Sequence, residues 1–160
     1  WDATVPEGAR LYWQVSTTGF DVAPGKGSVA KGMEVSRVYL DAKGEPVQSV
    51  RQGDEVTVQI TARALKPRIA DCVISDLLPG GFEMVIPRGD EEPLPGGVKH
   101  RDRREDRMLL FADLTTEPLT FTYRIRAVNR GVFTVPPVQV EAMYDQSFYG
   151  HGDSGSMEIR

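Results

Sequence analysis

The sequence predicts an all-β protein: an antiparallel Ig-like or fibronectin-like sandwich of seven to nine strands. Three observations lead there. Apolar residues recur with period two along most of the chain. Turn chemistry built from Gly, Pro, Asn and Asp separates the alternating runs at short intervals. No window carries an apolar stripe of 3.6-residue period, and the most helix-like composition, residues 99–107, has no apolar face.

Near the start, Leu11, Trp13 and Val15 alternate and predict one short strand. It falls in an N-terminal arm, residues 1–31, left from the join to a preceding domain; the sandwich is expected over residues 32–160. Met33–Leu40 begins on one parity (Met33, Val35) and resumes on the other (Val38, Leu40), so a bulge is expected near Ser36-Arg37. In Glu55–Ala64, Val56, Val58, Ile60, Ala62 and Ala64 share one face against Thr57, Gln59, Thr61 and Arg63. Residues 119–128 repeat the pattern, with Leu119, Phe121, Tyr123, Ile125 and Ala127 inward. Residues 108–114 are apolar except Asp113, which suits a central strand covered on both sides. Val138, Val140, Ala142 and Tyr144 form another run, and Met157 with Ile159 could close the sheet.

Bulk properties narrow the function. A chain of 160 residues with 40% hydrophobic content suits one domain with a real core. Net charge is −4, from 19 basic and 23 acidic residues, which argues against nucleic acid or an anionic membrane as main partner. The run Arg101-Asp102-Arg103-Arg104-Glu105-Asp106-Arg107 cancels within itself and reads as a solvated loop or hairpin tip. Cys72 is the one cysteine, so no internal disulfide forms. No apolar run reaches transmembrane length, so no direct membrane insertion is expected. With Trp1 rather than Met at its start and no visible signal peptide, the chain reads as an excised fragment.

No catalytic, cofactor-binding or metal-binding residue is assigned. His100 lies in the charged hairpin and His151 in a Gly-rich tail, and no Ser or Cys sits in a nucleophile-elbow context. His151 with Asp145 and Asp153 lacks the rigid spacing of metal ligands and reads as a solvated loop. Cys72 shares strand parity with Ile74 and Ala70, as a packed core thiol would. Arg88-Gly89-Asp90 matches an adhesion tripeptide, but three residues recur too often by chance to count. Exposed hydrophobes say more. The parity that turns Val140 and Ala142 inward turns Met143 outward, next to Phe148-Tyr149. Either this is a docking patch, or the tail folds back and covers Met143.

Several stretches resemble the last, macroglobulin-like domain of bacterial alpha-2-macroglobulins. They are Ser75-Asp76-Leu77-Leu78-Pro79-Gly80-Gly81-Phe82-Glu83; Asp106-Arg107 with Leu110-Phe111-Ala112-Asp113-Leu114; and the run from Thr120-Phe121-Thr122-Tyr123 through Gly131-Val132-Phe133-Thr134-Val135-Pro136-Pro137 to Glu141-Ala142-Met143-Tyr144-Asp145. Val38-Tyr39-Leu40-Asp41 and Gln52-Gly53-Asp54 add to the likeness, which covers about Gly32 to the end. The resemblance implies a non-catalytic interaction domain of a large periplasmic protease inhibitor, a device of host defence evasion. The parent would be anchored to the inner membrane by an N-terminal segment not present in this sequence. In thioester-bearing relatives the capturing motif is Cys-x-Glu-Gln in a separate domain; here Cys72 is followed by Val73-Ile74-Ser75. The resemblance further implies that Met143 and Tyr144, with Phe148 and Tyr149 beside them, shield that thioester or dock a neighbouring domain. Partners would be neighbouring domains of the parent, target proteases through the parent, and envelope proteins if the parent lacks a thioester.

A rival reading is an autonomous Ig-like adhesion or carbohydrate-binding module. It needs an exposed aromatic platform, for which Trp1, Trp13, Phe148 and Tyr149 are the candidates, with Trp13 on core parity.

Overall fold

Alternation becomes strand pairing from Val29 onward in a computed structural model that describes residues 4–18, 27–87 and 93–160. Thirteen strands form among the described residues. The first seven are β1 (Val29–Lys31), β2 (Met33–Leu40), β3 (Ser49–Val50), β4 (Glu55–Ala64), β5 (Arg68–Leu77), β6 (Phe82–Met84) and β7 (Val98–Arg103). The rest are β8 (Arg107–Thr115), β9 (Leu119–Ala127), β10 (Gly131–Val135), β11 (Gln139–Ala142), β12 (Tyr149–His151) and β13 (Gly155–Ile159). The count exceeds the expected seven to nine because β1, β3, β6 and β12 have only two or three residues. Strands that short carry no readable alternation.

One layer is a six-stranded sheet in the order β1-β12-β11-β5-β8-β7; the facing layer is β2-β4-β9-β6. Both are antiparallel throughout. A small sheet, β10-β13-β3, includes the parallel pair β13 and β3. Pro136 and Pro137 lie where the chain leaves β10 for β11, and so passes from the small sheet to the large one. Proline cannot donate to a ladder, so pairing stops there.

The core fills from both layers by strict alternation. Val56, Val58, Ile60 and Ala62 of β4 and Phe121 and Ile125 of β9 meet Cys72 and Ile74 of β5 and Met108, Leu110 and Leu114 of β8. The faces of β4 and β9 are as the alternation predicts. β8 is covered less than expected: Met108, Leu110, Ala112 and Leu114 are buried, while Leu109, Phe111 and Asp113 on its other face stay partly exposed. The charged run forms the β7–β8 hairpin, with Arg104, Glu105 and Asp106 at its tip.

Three local expectations are corrected. No bulge interrupts β2, which pairs with β4 in unbroken register from Met33–Ala64 to Leu40–Thr57. Its inward row is Met33, Val35, Arg37 and Tyr39, with Val38 outside. The apparent slip of parity is a charged side chain occupying a core position. A bulge lies instead in β5, between Ile69 and Cys72, where Asp71 has φ 52. It puts Ile69 inside and Ala70 outside, so Cys72 shares its face with Ile74 but not with Ala70. Finally, Leu11, Trp13 and Val15 form no strand, and Trp13 is 79% exposed rather than in the core. Alternation specifies a strand only where a neighbouring strand and a core receive it. The large sheet starts a little ahead of Gly32, because β1 pairs with β12.

Candidate functional site

The turn between β11 and β12, residues 143–148, gathers three of the four residues singled out in the sequence, and the fourth, Tyr149, opens β12. Its stem is closed by Ala142 N–H donating to the Phe148 carbonyl at 3.1 Å. Within it, the Phe148 N–H reaches the Asp145 carbonyl at 3.1 Å. The Asp145 carboxylate accepts from the Ser147 hydroxyl at 2.6 Å and the Ser147 N–H at 3.1 Å, an Asx-type turn that holds the carboxyl below its usual range.

The four residues do not share one environment. Phe148 packs against the core, its ring lying over Gly32 and beneath the Lys66 ammonium, 3.4 Å from the ring centroid. Gly32 has φ +75, and a Cβ there would come within 2.4 Å of the Phe148 ring, so only glycine permits this seat. Tyr149 is half-buried in β12 with Lys31 4.8 Å from its ring centroid. Met143 and Tyr144 project instead, 45% and 83% exposed. The tail does fold back, with β12 on β11, yet it leaves Met143 and Tyr144 uncovered.

The turn is tied to the β5 bulge. Met143 N–H donates to the Asp71 carbonyl at 2.9 Å, and Asp71 N–H donates to Asp113 Oδ1 at 3.0 Å. Asp113 also takes Lys99 Nζ at 2.6 Å and Arg68 Nη2 at 2.6 Å, and Lys99 reaches Asp71 Oδ1 at 2.7 Å. Lys99, then Arg68, then the Asp71 amide hold the Asp113 carboxyl well below the usual carboxylate range. A brace of charges on β5, β7 and β8 thus fixes the backbone from which Met143 leaves its strand.

A second polar cluster escaped the sequence reading. Arg37, on β2, forms an ion pair with Asp76, on β5, and its Nη2 donates to the Pro136 carbonyl at 2.5 Å. Tyr123 donates its hydroxyl to Asp76 Oδ2 at 2.7 Å, and the Arg37 guanidinium lies 5.0 Å from the Tyr39 ring centroid. Burial pushes the Asp76 carboxyl up, against the pull of Arg37 and Tyr123. The signal that could have found it was the inward parity of both Arg37 and Asp76.

The other candidates are accounted for by local contacts. Cys72 is buried, its Sγ 3.6 Å from Met33 Sδ, and burial pushes its thiol up to about 11. His100 stacks on Phe111 with centroids 5.8 Å apart, and His151 Nδ1 lies 3.0 Å from the Gly152 carbonyl. Among the described residues no three His, Cys, Asp or Glu side chains converge as metal ligands. A cleft of ≈ 440 Å³ beside β2 and β12 is lined by polar and apolar groups alike, and within it Arg63 pairs with Glu34 and Arg37 with Asp76. Trp1 and Arg88-Gly89-Asp90 lie outside the described residues.

The architecture is that of a macroglobulin-like β-sandwich. The native conformation of Escherichia coli alpha-2-macroglobulin matches it with TM-score 0.78 at 23% identity, over 89% of this chain and 10% of that one. Salmonella alpha-2-macroglobulin reacted with methylamine gives TM-score 0.76 at 24% identity, over 88% and 10%. At such identities the likeness shows the fold. Sequence goes further: the family model for the bacterial alpha-2-macroglobulin MG10 domain matches residues 32–147, and the chain belongs to that family. Alpha-2-macroglobulins of Pasteurella multocida and Rickettsia conorii are each 32% identical to it, over 152 and 158 residues. Each alignment takes in 93% of this chain and 8% of the relative, so the chain spans under a tenth of the length of those relatives.

Proposed function

We propose that this domain is a non-catalytic interaction module of an alpha-2-macroglobulin-like protease inhibitor of the periplasm. Its Met143–Tyr144 pair packs on the neighbouring thioester-bearing domain of the parent and keeps water from that bond. The observation that carries the reading is Tyr144, 83% exposed on a turn whose backbone is bonded at both ends. An apolar, polarizable pair held out on a braced turn loses nothing from the sandwich when a partner covers it. Solved relatives include an Escherichia coli alpha-2-macroglobulin activated by porcine elastase, which supports a protease-responsive parent. The Salmonella relative reacted with methylamine, a nucleophile that attacks activated acyl bonds. Cys72 is followed by Val73-Ile74-Ser75 rather than by the x-Glu-Gln of the capturing motif, so a thioester in the parent would belong to another part of it.

The test is Met143→Ala with Tyr144→Ala in the parent protein, with release of the thioester thiol followed in buffer. Faster hydrolysis with an unchanged melting profile is the expected outcome; an unchanged rate removes the shielding role. If the parent has no thioester, the same turn docks a neighbouring domain or an envelope partner, and loss of that association becomes the readout.

A further inference from the structure

Met143 stands apart from the other methionines of the chain. All five lie among the described residues: Met33, Met108 and Met157 are buried, Met84 is partly buried against the core, and Met143 is 45% exposed. A thioether is oxidised where an oxidant reaches it, so a dissolved oxidant meets Met143 first. Its side chain takes no part in the core, and the backbone it leaves from is held by the Met143 N–H bond to the Asp71 carbonyl. An oxygen added to its sulfur can face solvent and leave the sandwich folded. The same oxygen on Met33 or Met157 would enter a packed interior.

We propose that Met143 is a modification site: a hydroperoxide converts its thioether to the sulfoxide, and the change releases the Met143–Tyr144 turn from its partner domain, a role that rests on the docking reading of this pair. With hydrogen peroxide, a sulfur lone pair attacks one oxygen and the S–O bond forms as the O–O bond breaks. The departing hydroxide takes up the proton that the new S–O group sheds, giving sulfoxide and water. Sulfur is oxidised by two electrons and the peroxide is reduced by two. The product puts a strong hydrogen-bond acceptor where the contact had an apolar, adaptable side chain. Covering that oxygen without a donor costs its hydration. A docked Met143 is shielded, so oxidation proceeds while the pair is lifted, and the sulfoxide then holds it off. Sulfoxide reductases return the thioether, which makes the release reversible.

The test treats the parent protein with hydrogen peroxide. Peptide mass mapping follows added oxygen at each methionine, alongside amide exchange of residues 144–147 and release of the thioester thiol. Met143 should gain oxygen before Met84 and before the buried methionines, with the melting profile unchanged. Exchange at 144–147, and thiol release with it, should then rise by about tenfold, the order expected for one polar oxygen left unpaired in a contact. In the 160-residue chain, with no partner domain over the turn, exchange there should not change. Met143→Leu keeps an apolar contact without an oxidisable sulfur, so its parent should behave after peroxide as it does before. Oxidation of Met84 ahead of Met143 would overturn the proposal, as would full conversion of Met143 with exchange at 144–147 unaltered. So would peroxide-driven release equal in wild type and Met143→Leu, which means attack on the thioester itself. The docking reading fails separately, when Met143→Ala with Tyr144→Ala leaves both exchange at 145–147 and thiol release unchanged.

Discussion

Arg37 and Asp76 meet as an ion pair between the two layers of the sandwich, with side chains 4% and 0% exposed. The pair joins β2 to β5, takes in the Tyr123 hydroxyl from β9, and binds the Pro136 carbonyl where the chain crosses to β11. No buried side-chain nitrogen or oxygen among the described residues is left without a partner. That completeness is what makes a buried charge tolerable.

Breaking the pair from one side should therefore cost far more than removing it. Arg37→Met leaves Asp76 buried and should destabilise the domain by about 3–5 kcal/mol at neutral pH. Arg37→Met with Asp76→Leu should recover much of that loss. The single variant should also titrate. With its carboxyl pushed up by burial and no guanidinium to oppose it, Asp76 binds a proton in the folded state. The deficit is then small below the ordinary carboxylate range and grows as pH rises toward the folded value. Urea unfolding of the single and double variants across pH checks both statements; equal losses in the two would remove the ion pair as the explanation.

Most of the fold was legible because most of its strands are long and one-sided. β4 and β9 have nine or ten residues with a clean inward row, and period two reads such strands without help. Arg37 and Asp71 show where that reading fails. Alternation assumes that inward means apolar, so an arginine satisfied by Asp76, Pro136 and Tyr39 looked like a bulge. The real bulge at Asp71 left no trace, because Ala70 is small enough to sit on either face. The exposure of Met143 and Tyr144 followed from parity only as far as Met143. Tyr144 is on inward parity, and it is the end of β11 at Ala142 that turns it out.

Gly32→Ala should displace Phe148. The new Cβ would fall 2.4 Å from the ring, on a backbone with φ +75 that L side chains rarely adopt. A loss of about 1–3 kcal/mol is expected from overpacking and strain together. Phe148→Leu in the Gly32→Ala background should restore part of it by clearing the ring. Thermal unfolding of the single and double variants decides: additive losses would show that the two positions do not meet.

Cys72 should be silent to thiol reagents in the folded protein. It is buried against Met33, and burial raises its thiol to about 11, so little thiolate exists at neutral pH and none is accessible. A disulfide-exchange reagent should titrate no thiol in native protein and one per chain in denaturant. Rapid labelling without denaturant would mean that β5 opens readily beside its bulge.

Asp113 should govern the acid limb of stability. Lys99, Arg68 and the Asp71 amide hold its folded carboxyl well below the ordinary range, while in the unfolded chain it titrates within that range. A depressed folded value stabilises fully above the unfolded one and is lost as pH falls through that range toward the folded value. Asp113→Asn removes the ionisable group, so the variant should be weaker at neutral pH and lose less stability on acidification. The two curves should converge only below the ordinary carboxylate range, as pH approaches the folded value. Because Asp71 links this brace to the Met143 amide, the substitution should also speed amide exchange at Met143 while leaving β4 unchanged. Slowed or unaltered exchange at Met143 would show that the turn is set by Phe148 and its Gly32 seat rather than by the charges on β7 and β8.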